Sequence, residues 1–510
     1  MVEGNTKTIA KNTVLLYVRM VLSVLVGLYT SRVVLRTLGV DDYGIYSVVG
    51  GVVGMFSFLN AAMSGATSRF LTFEMGKGDF KKLQETFSTT LIIHIGIALA
   101  VLVLAETVGL WFLCHKLVLP EGRMAAAHVV YQCSVLGAMV TITQVPYSAV
   151  IIAHEKMDVY AYVELANVFM KLGVVFLLLL IAWDKLIVYS VLIFAVSVVI
   201  AMTYRVYCIR HYLESHFRWM WDKTIFKPML NFSGWNLFSE CGYAFRVHGS
   251  NIALNMFFGT IVNAAGGIAS TVQGILLGFV ANIVTAVRPQ IIKNYSQGNL
   301  ERMNTLIKSS IRLNLLLVSL VTIPVFVDAP YLLNLWLDEV PQYSVEFCQL
   351  LLFAIYITSV SQIVTIGIHA TGDIRLTSIV RNVFYISTPF VIYLVLKFFP
   401  ASPVLGYAII VLNQMIVCIT DIFILHRNIP YIKSWGIFWD YCKAVTIFVL
   451  IVFVMHFAKR GETATFLYFV FNCVLECGLS TAMFVGVIFG KKERQLLADI
   501  IHKTISKFKR

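Results

Sequence analysis

Long apolar runs recur along almost the whole chain and leave it few folds to adopt. Fourteen stretches hold about 20 mostly apolar residues each. They lie near 12–34, 43–66, 88–113, 126–152, 161–182, 186–208, 231–258, 264–287, 307–327, 345–368, 379–399, 403–425, 441–458 and 465–489. Such a length crosses the roughly 30 Å hydrocarbon core of a bilayer as one helix. Backbone in lipid finds no water to pair with, so each run must satisfy its own N–H and C=O groups as an α-helix. Only 13% of the residues are charged, against about 25% in soluble proteins. The longest connecting segments have about twenty residues. The expectation is an all-α polytopic membrane protein of about 14 transmembrane helices, with no separate soluble domain. The first run starts near Thr13 and is interrupted by Arg19. Without a small-residue cleavage site ahead of a soluble domain, it reads as a permanent helix and not as a removed signal.

The net charge of +13 is a matter of sidedness and not of nucleic-acid binding, because the basic residues cluster between apolar runs. Of the 40 Lys and Arg residues, 29 fall on one side and 8 on the other, counting those near a run's end with the adjoining loop, and three (Arg19, Lys171 and Arg246) lie deep inside runs. The positive-inside rule then places both termini in the cytoplasm, and an even number of crossings agrees. In the tail, residues 491–510, Leu497, Ile501, Ile505 and Phe508 recur at helical spacing opposite Lys and Arg. That pattern predicts an amphipathic helix on the inner leaflet. The nine cysteines show no CxxC and no metal-ligand spacing, so neither a metal site nor a cofactor is expected. No P-loop is present, which excludes ATP as the direct energy source. No long outer loop carries clustered Arg and His, so a membrane polymerase or ligase does not fit, and the chain does not read as an enzyme.

The second half echoes the first. MGKGDFKKLQETFSTT precedes the third run and YSQGNLERMNTLIKSS the ninth, with Gly78 and Gly298, like Phe80 and Leu300, 220 residues apart. Further on, Gln144 and Gln362 differ by 218 and Ala153 and Ala370 by 217. Each repeat would hold six helices. Six is even, so both lobes enter the membrane in the same sense, related by a pseudo-two-fold along the membrane normal, with a cavity near the midplane between them. The expected organisation is an N-terminal lobe at 1–225, a C-terminal lobe at 226–430, two extra helices at 431–490 and the tail at 491–510.

Polar side chains inside the runs point to the function. In the first run Asn12, Arg19, Ser23 and Thr30 are spaced 7, 4 and 7 residues apart. At about 100° per residue they fall on one face. In the seventh, Ser239, Arg246 and Ser250 repeat the 7 and 4 spacing, with Glu240 and Asn251 on an adjoining face. Arginine keeps its charge in lipid and grips phosphate or carboxylate with two parallel hydrogen bonds. Arg19, Ser23, Arg246, Ser250 and Asn251 are therefore the candidate substrate-binding residues, and a diphosphate is the natural anion. Two alternatives stay open: Arg246 held by Glu240 as a structural pair, and Arg19 snorkelling to the interface. Glu240 and His248 are the candidate ion-coupling groups, since intramembrane ionisable residues mark ion paths. Glu164 and Lys171, seven apart in the fifth run, read as a structural neutralisation.

Three pieces carry a family resemblance: LRTLGVDDYGIY at Leu35–Tyr46, GWNLF at Gly234–Phe238, and HATGD at His369–Asp373. With them, nearly the whole chain resembles bacterial polysaccharide exporters and Wzx-type O-antigen flippases of the MATE-like exporter superfamily. The resemblance implies two six-helix lobes around a cationic cavity. It implies alternating access that flips a polyprenyl-diphosphate-linked oligosaccharide, such as an O-antigen or capsule repeat unit, across the bacterial inner membrane. An H+ or Na+ gradient would drive it, the last two helices would form a groove for the lipid tail, and a polymerase and a chain-length regulator would be partners. A MATE-type drug antiporter predicts twelve spans and an acidic cavity. Lipid II transport is a variant that these residues do not separate.

Overall fold

The computed structural model describes residues 2–56, 79–154, 156–219, 237–399, 402–458 and 465–490, with isolated positions 63, 67, 70, 71, 74, 75, 234, 493 and 494. Of residues 2–21 and of 157, 282, 283, 285, 286, 289, 293 and 296 it describes the helix without the side chain. The helices are α1 (Val2–Gly54), α2 (Phe80–Leu104), α3 (Leu110–His115), α4 (Met124–Ala153), α5 (Met157–Leu180), α6 (Lys185–His211), α7 (Ser250–Phe258) and α8 (Thr260–Ser296). Then follow α9 (Leu300–Val327), α10 (Ala329–Trp336), α11 (Ser344–Thr371), α12 (Arg375–Phe398), α13 (Pro403–Asn428), α14 (Ser434–Ala458) and α15 (Phe466–Met483). Among the described residues there is no strand, and twelve helices are long and apolar enough to cross a membrane. The chain is a multi-pass membrane protein.

Two expected spans are not among the twelve. The first and second runs form one helix, α1, broken only at Gly39 (φ 81°, ψ 171°). The connection expected over 35–42 is thus a single kink, in a conformation open to glycine and strained for other residues. Most of residues 57–78, the rest of the second run, lie outside the described residues. So does part of the seventh run, whose described portion is helical from 237 and interrupted by a π-turn, Phe245–Gly249. The expected amphipathic tail also falls outside the description, apart from Glu493 and Arg494.

The chain packs as two units, residues 1–267 with 385–403, and residues 268–384 with 404–510. This partition follows packing, whereas the repeats at 1–225 and 226–430 follow sequence offset, and the two assign residues 226–267 and 385–403 differently. In lipid, apolar burial brings little dehydration gain, so contact quality holds helices together. In the first unit Val48, Val49 and Val52 of α1 meet Leu113, Val130, Tyr131 and Val135. The Tyr131 hydroxyl donates to the Ala105 carbonyl at 2.6 Å, where a second π-turn, Ala105–Gly109, interrupts the helical ladder. A polar seam closes the Gly39 end of this unit. Arg123, before α4, binds both Asp42 of α1 (Nε to Oδ1 2.8 Å) and Asp184 before α6 (Nη1 to Oδ2 2.6 Å). Thr260 donates to Asp41 at 3.0 Å, and a Cβ on Gly44 would overlap the Thr260 carbonyl. The wholly buried Asn255 accepts from the Val118 N–H at 2.8 Å and donates to Asn263 at 2.7 Å. The LGVDDYG stretch singled out in the sequence thus serves as a clasp.

In the second unit, α9, α11, α13 and α14 share one large apolar core centred on residues such as Ile355, Tyr356, Ile422 and Phe448. A buried polar knot ties three of its helices. Arg381 of α12 contacts Asp421 of α13 (Nη2 to Oδ2 2.6 Å) and Ser361 (3.0 Å) and Thr365 of α11. Arg312 of α9 binds Asp440 of α14 at 2.8 Å and Glu493 at 3.5 Å. Both arginines stand inside helices, each with a carboxylate partner.

Candidate functional site: an intramembrane arginine between two tyrosines

The most unusual cation in the described spans is Arg246. It belongs to the π-turn Phe245–Gly249 and is 8% exposed. A π-turn carries one residue more than an α-turn and is frequent at functional sites. Tyr243, three residues earlier, and Tyr385 of α12 bring their rings to 5.2 and 5.0 Å of its guanidinium carbon. The rings are tilted 69° to one another, with centroids 6.5 Å apart. Facing ring quadrupoles stabilise the positive charge and leave the planar N–H edge for a ligand. The Nε has no hydrogen-bond partner among the described residues. Nor does a carboxylate neutralise the group: among the described residues no ion pair joins Arg246 to Glu240.

The other candidates differ in their settings. Ser250 is 2% exposed, and its Oγ has no partner among the described residues. Asn251 is half-buried, and its carbonyl accepts from Asn263 at 3.0 Å. The ring of His248 rests on α1: a Cβ on Gly54 would lie 2.5 Å from its Cε1, so only glycine leaves room. Gly249 lies against Pro389 of α12, which fixes the turn from its other side. Glu240 is half-buried upstream of the turn. Ser23 of α1 is half-buried and makes no hydrogen bond to this group among the described residues. The side chain of Arg19 lies outside the described residues.

The sequence spacing assumed 100° per residue throughout. The extra residue of the π-turn breaks that register, so Ser239 and Glu240 are rotated relative to Ser250 and Asn251. Sequence reasoning also missed the two tyrosines. Tyr243, one turn before Arg246, was a visible signal, whereas Tyr385 had none. The pair Arg381–Asp421 was missed as well, although an aspartate inside the 403–425 run was there to be seen. Glu164 accepts from Tyr204 at 3.0 Å and, among the described residues, forms no ion pair with Lys171, so the expected neutralisation is replaced by a neutral donor.

An apolar groove of ≈ 280 Å³ runs beside α14, lined by Trp439, Cys442, Lys443, Ile447, Leu450 and Met483.

No protein-family model matches the chain. It is 22% identical to an uncharacterized membrane protein, EpsK, of Bacillus subtilis (strain 168), over 95% of this chain and 96% of that protein. Its fold is similar to that of the lipid II flippase MurJ in an inward closed conformation, with TM-score 0.68 and 10% identity, over 92% of this chain and 98% of that one. It is also similar to an inward-facing multidrug resistance MATE family transporter of the MOP superfamily, with TM-score 0.62 and 13% identity, over 83% and 99%. The chain thus has the fold of MOP-superfamily transporters, and these structural relatives are transporters and not enzymes.

Proposed function

We propose that the chain flips a polyprenyl-diphosphate-linked oligosaccharide across a bacterial inner membrane by alternating access. The observation that carries this reading is Arg246: a buried cation in a membrane helix, with aromatic walls and no carboxylate partner among the described residues. Holding a charge there costs several kcal/mol unless it meets an anion. A diphosphate supplies that anion, while the prenyl chain stays in lipid. An organic cation would be repelled, which disfavours a drug antiporter. The fold likeness to a lipid II flippase favours one second reading, transport of lipid II, whose linkage chemistry the arginine serves equally well.

In this reading the chain has fourteen crossings, as two six-helix repeats and two extra helices, with both termini cytoplasmic. Arg19 and Ser23 on the first helix complete the cationic cavity with Arg246, Ser250 and Asn251. Glu240 and His248 flank the arginine and couple the cycle to H+ or Na+. A polymerase and a chain-length regulator receive the product.

The test is transport of a fluorescent polyprenyl-diphosphate oligosaccharide in proteoliposomes, with Arg246→Ala and Arg246→Lys checked for folding. Charge-assisted hydrogen bonds contribute about 1.5–3 kcal/mol each, so Arg246→Ala is expected to weaken binding about tenfold to a hundredfold. Lysine recovers only part of this, because it lacks the forked geometry. Undiminished flipping by Arg246→Ala removes the arginine from the site. Efflux of an organic cation by the wild type, without lipid flipping, replaces the reading.

A further inference from the structure

The first packing unit holds a half-open cavity of ≈ 360 Å³ among α1, α2, α4 and α6. That volume lies within the range of small-molecule sites, about 300–1,000 Å³. No ionised side chain lines it, but five hydroxyls do: Tyr46 of α1, Ser134 and Thr141 of α4, and Ser190 and Ser197 of α6. Each of the four serine and threonine hydroxyls donates its proton one turn back along its own helix. Ser134 donates to the Val130 carbonyl (2.7 Å), Thr141 to Gly137 (2.9 Å), Ser190 to Ile187 (2.8 Å) and Ser197 to Ile193 (3.1 Å). With their protons committed, these hydroxyls offer a ligand only oxygen lone pairs. The rest of the wall is apolar, with Val53, Val101 and Phe194 among its members.

Such a wall selects by chemistry. A phosphate is charged and finds no cation in this wall, and the four serine and threonine hydroxyls offer its oxygens no donor. A hydrocarbon tail gains nothing from four oxygens. An uncharged ring with hydroxyl donors on its rim and C–H groups on its faces matches both components, and that is a sugar. The cavity also adjoins the arginine turn. Gly54 lines it, and the same glycine carries the ring of His248, two residues from Arg246.

We propose that this cavity is the sugar subsite, receiving the uncharged sugar attached to the diphosphate that Arg246 holds. The assignment rests on the diphosphate reading above and adds where the first sugar goes and what kind of group recognises it. Recognition runs from sugar hydroxyls to serine and threonine oxygens, so it tolerates different sugars and excludes charged ones.

The decisive variant is Gly50→Leu. Gly50 lines the cavity, and a Cβ there meets nothing within 4 Å, so a leucine grows into the empty space without displacing the helix. Gly50→Ala is the control. The probes are polyprenyl diphosphate and the same lipid carrying a neutral disaccharide, titrated into full-length protein in nanodiscs. Wild type is expected to bind the glycosylated probe about tenfold more tightly than the bare one, the equivalent of one or two hydrogen bonds. Gly50→Leu brings that ratio close to one, Gly50→Ala keeps it, and Arg246→Ala weakens both probes together. Cys133, which also lines the cavity, gives a second readout by mass spectrometry. The glycosylated probe slows its alkylation by a small maleimide, and the bare probe does not. Equal wild-type affinity for the two probes, or a ratio that survives Gly50→Leu, overturns the sugar subsite and leaves the diphosphate site standing. Failure of wild type to bind either probe overturns both.

Discussion

Arg246 shows how one side chain is made tolerable in lipid. Its charge is spread over a planar group, two tyrosine faces lie within about 5 Å of it, and its unsatisfied Nε points to a ligand as the remaining partner. The rings contribute electrostatically, at about 0.5–2 kcal/mol for a desolvated pair. Tyr385→Leu is therefore expected to weaken polyprenyl-diphosphate binding about twofold to thirtyfold, while Tyr385→Phe, which keeps the ring, stays close to wild type. Isothermal titration of the two variants separates the ring from the hydroxyl. The cation itself was legible in the sequence, because an arginine deep in an apolar run has few structural excuses. Its surroundings were not. Tyr385 reaches it from a helix about 140 residues further on, and no local pattern encodes such a meeting.

At the scale of elements, ion pairs join one helix to another, and Asp184 does this while also capping the start of α6. The Arg123 guanidinium, hydrogen-bonded to Asp184, holds that carboxyl below the usual carboxylate range. The pair raises the arginine's own value in turn. A carboxylate depressed in the folded state adds stability above its unfolded value, about 3.9, and loses it as pH falls through the lower folded value. Thermal melts of the purified protein should thus show an acid-side loss of stability that is smaller in Asp184→Asn. The Arg381–Asp421 pair is more deeply set, with Asp421 fully buried. Asp421→Leu leaves a buried guanidinium without its carboxylate, at a cost of about 3–5 kcal/mol. Adding Arg381→Met removes the stranded charge and should restore most of the melting temperature. The existence of these helices was plain from hydropathy. What hydropathy does not record is a kink such as Gly39, where one backbone conformation replaces an expected eight-residue connection, or a π-turn, which adds a residue without changing composition.

For the molecule as a whole, the asymmetry of basic residues carries the orientation. Reporter fusions to the N-terminus and after Arg510 are expected to fluoresce as cytoplasmic proteins and to lack periplasmic phosphatase activity. A phosphatase-active fusion at either end overturns the positive-inside assignment. The repeat offset near 220 residues described a relation between halves of the sequence, and the packing units cut the chain elsewhere, at 267 and 384. Sequence similarity reports which segments share an origin. Packing reports which segments touch, and the two need not share a boundary.

The π-turn at Phe245–Gly249 also bears on how this chain would be compared with others. A helix with one residue too many is what a single-codon insertion leaves when the rest of the helix holds its place. Relatives without that codon would align with a one-residue gap here, and beyond it their side chains would face directions about 100° away. Identical letters across the gap would then hide different surfaces, and a change of cargo could arise from gaining or losing one amino acid.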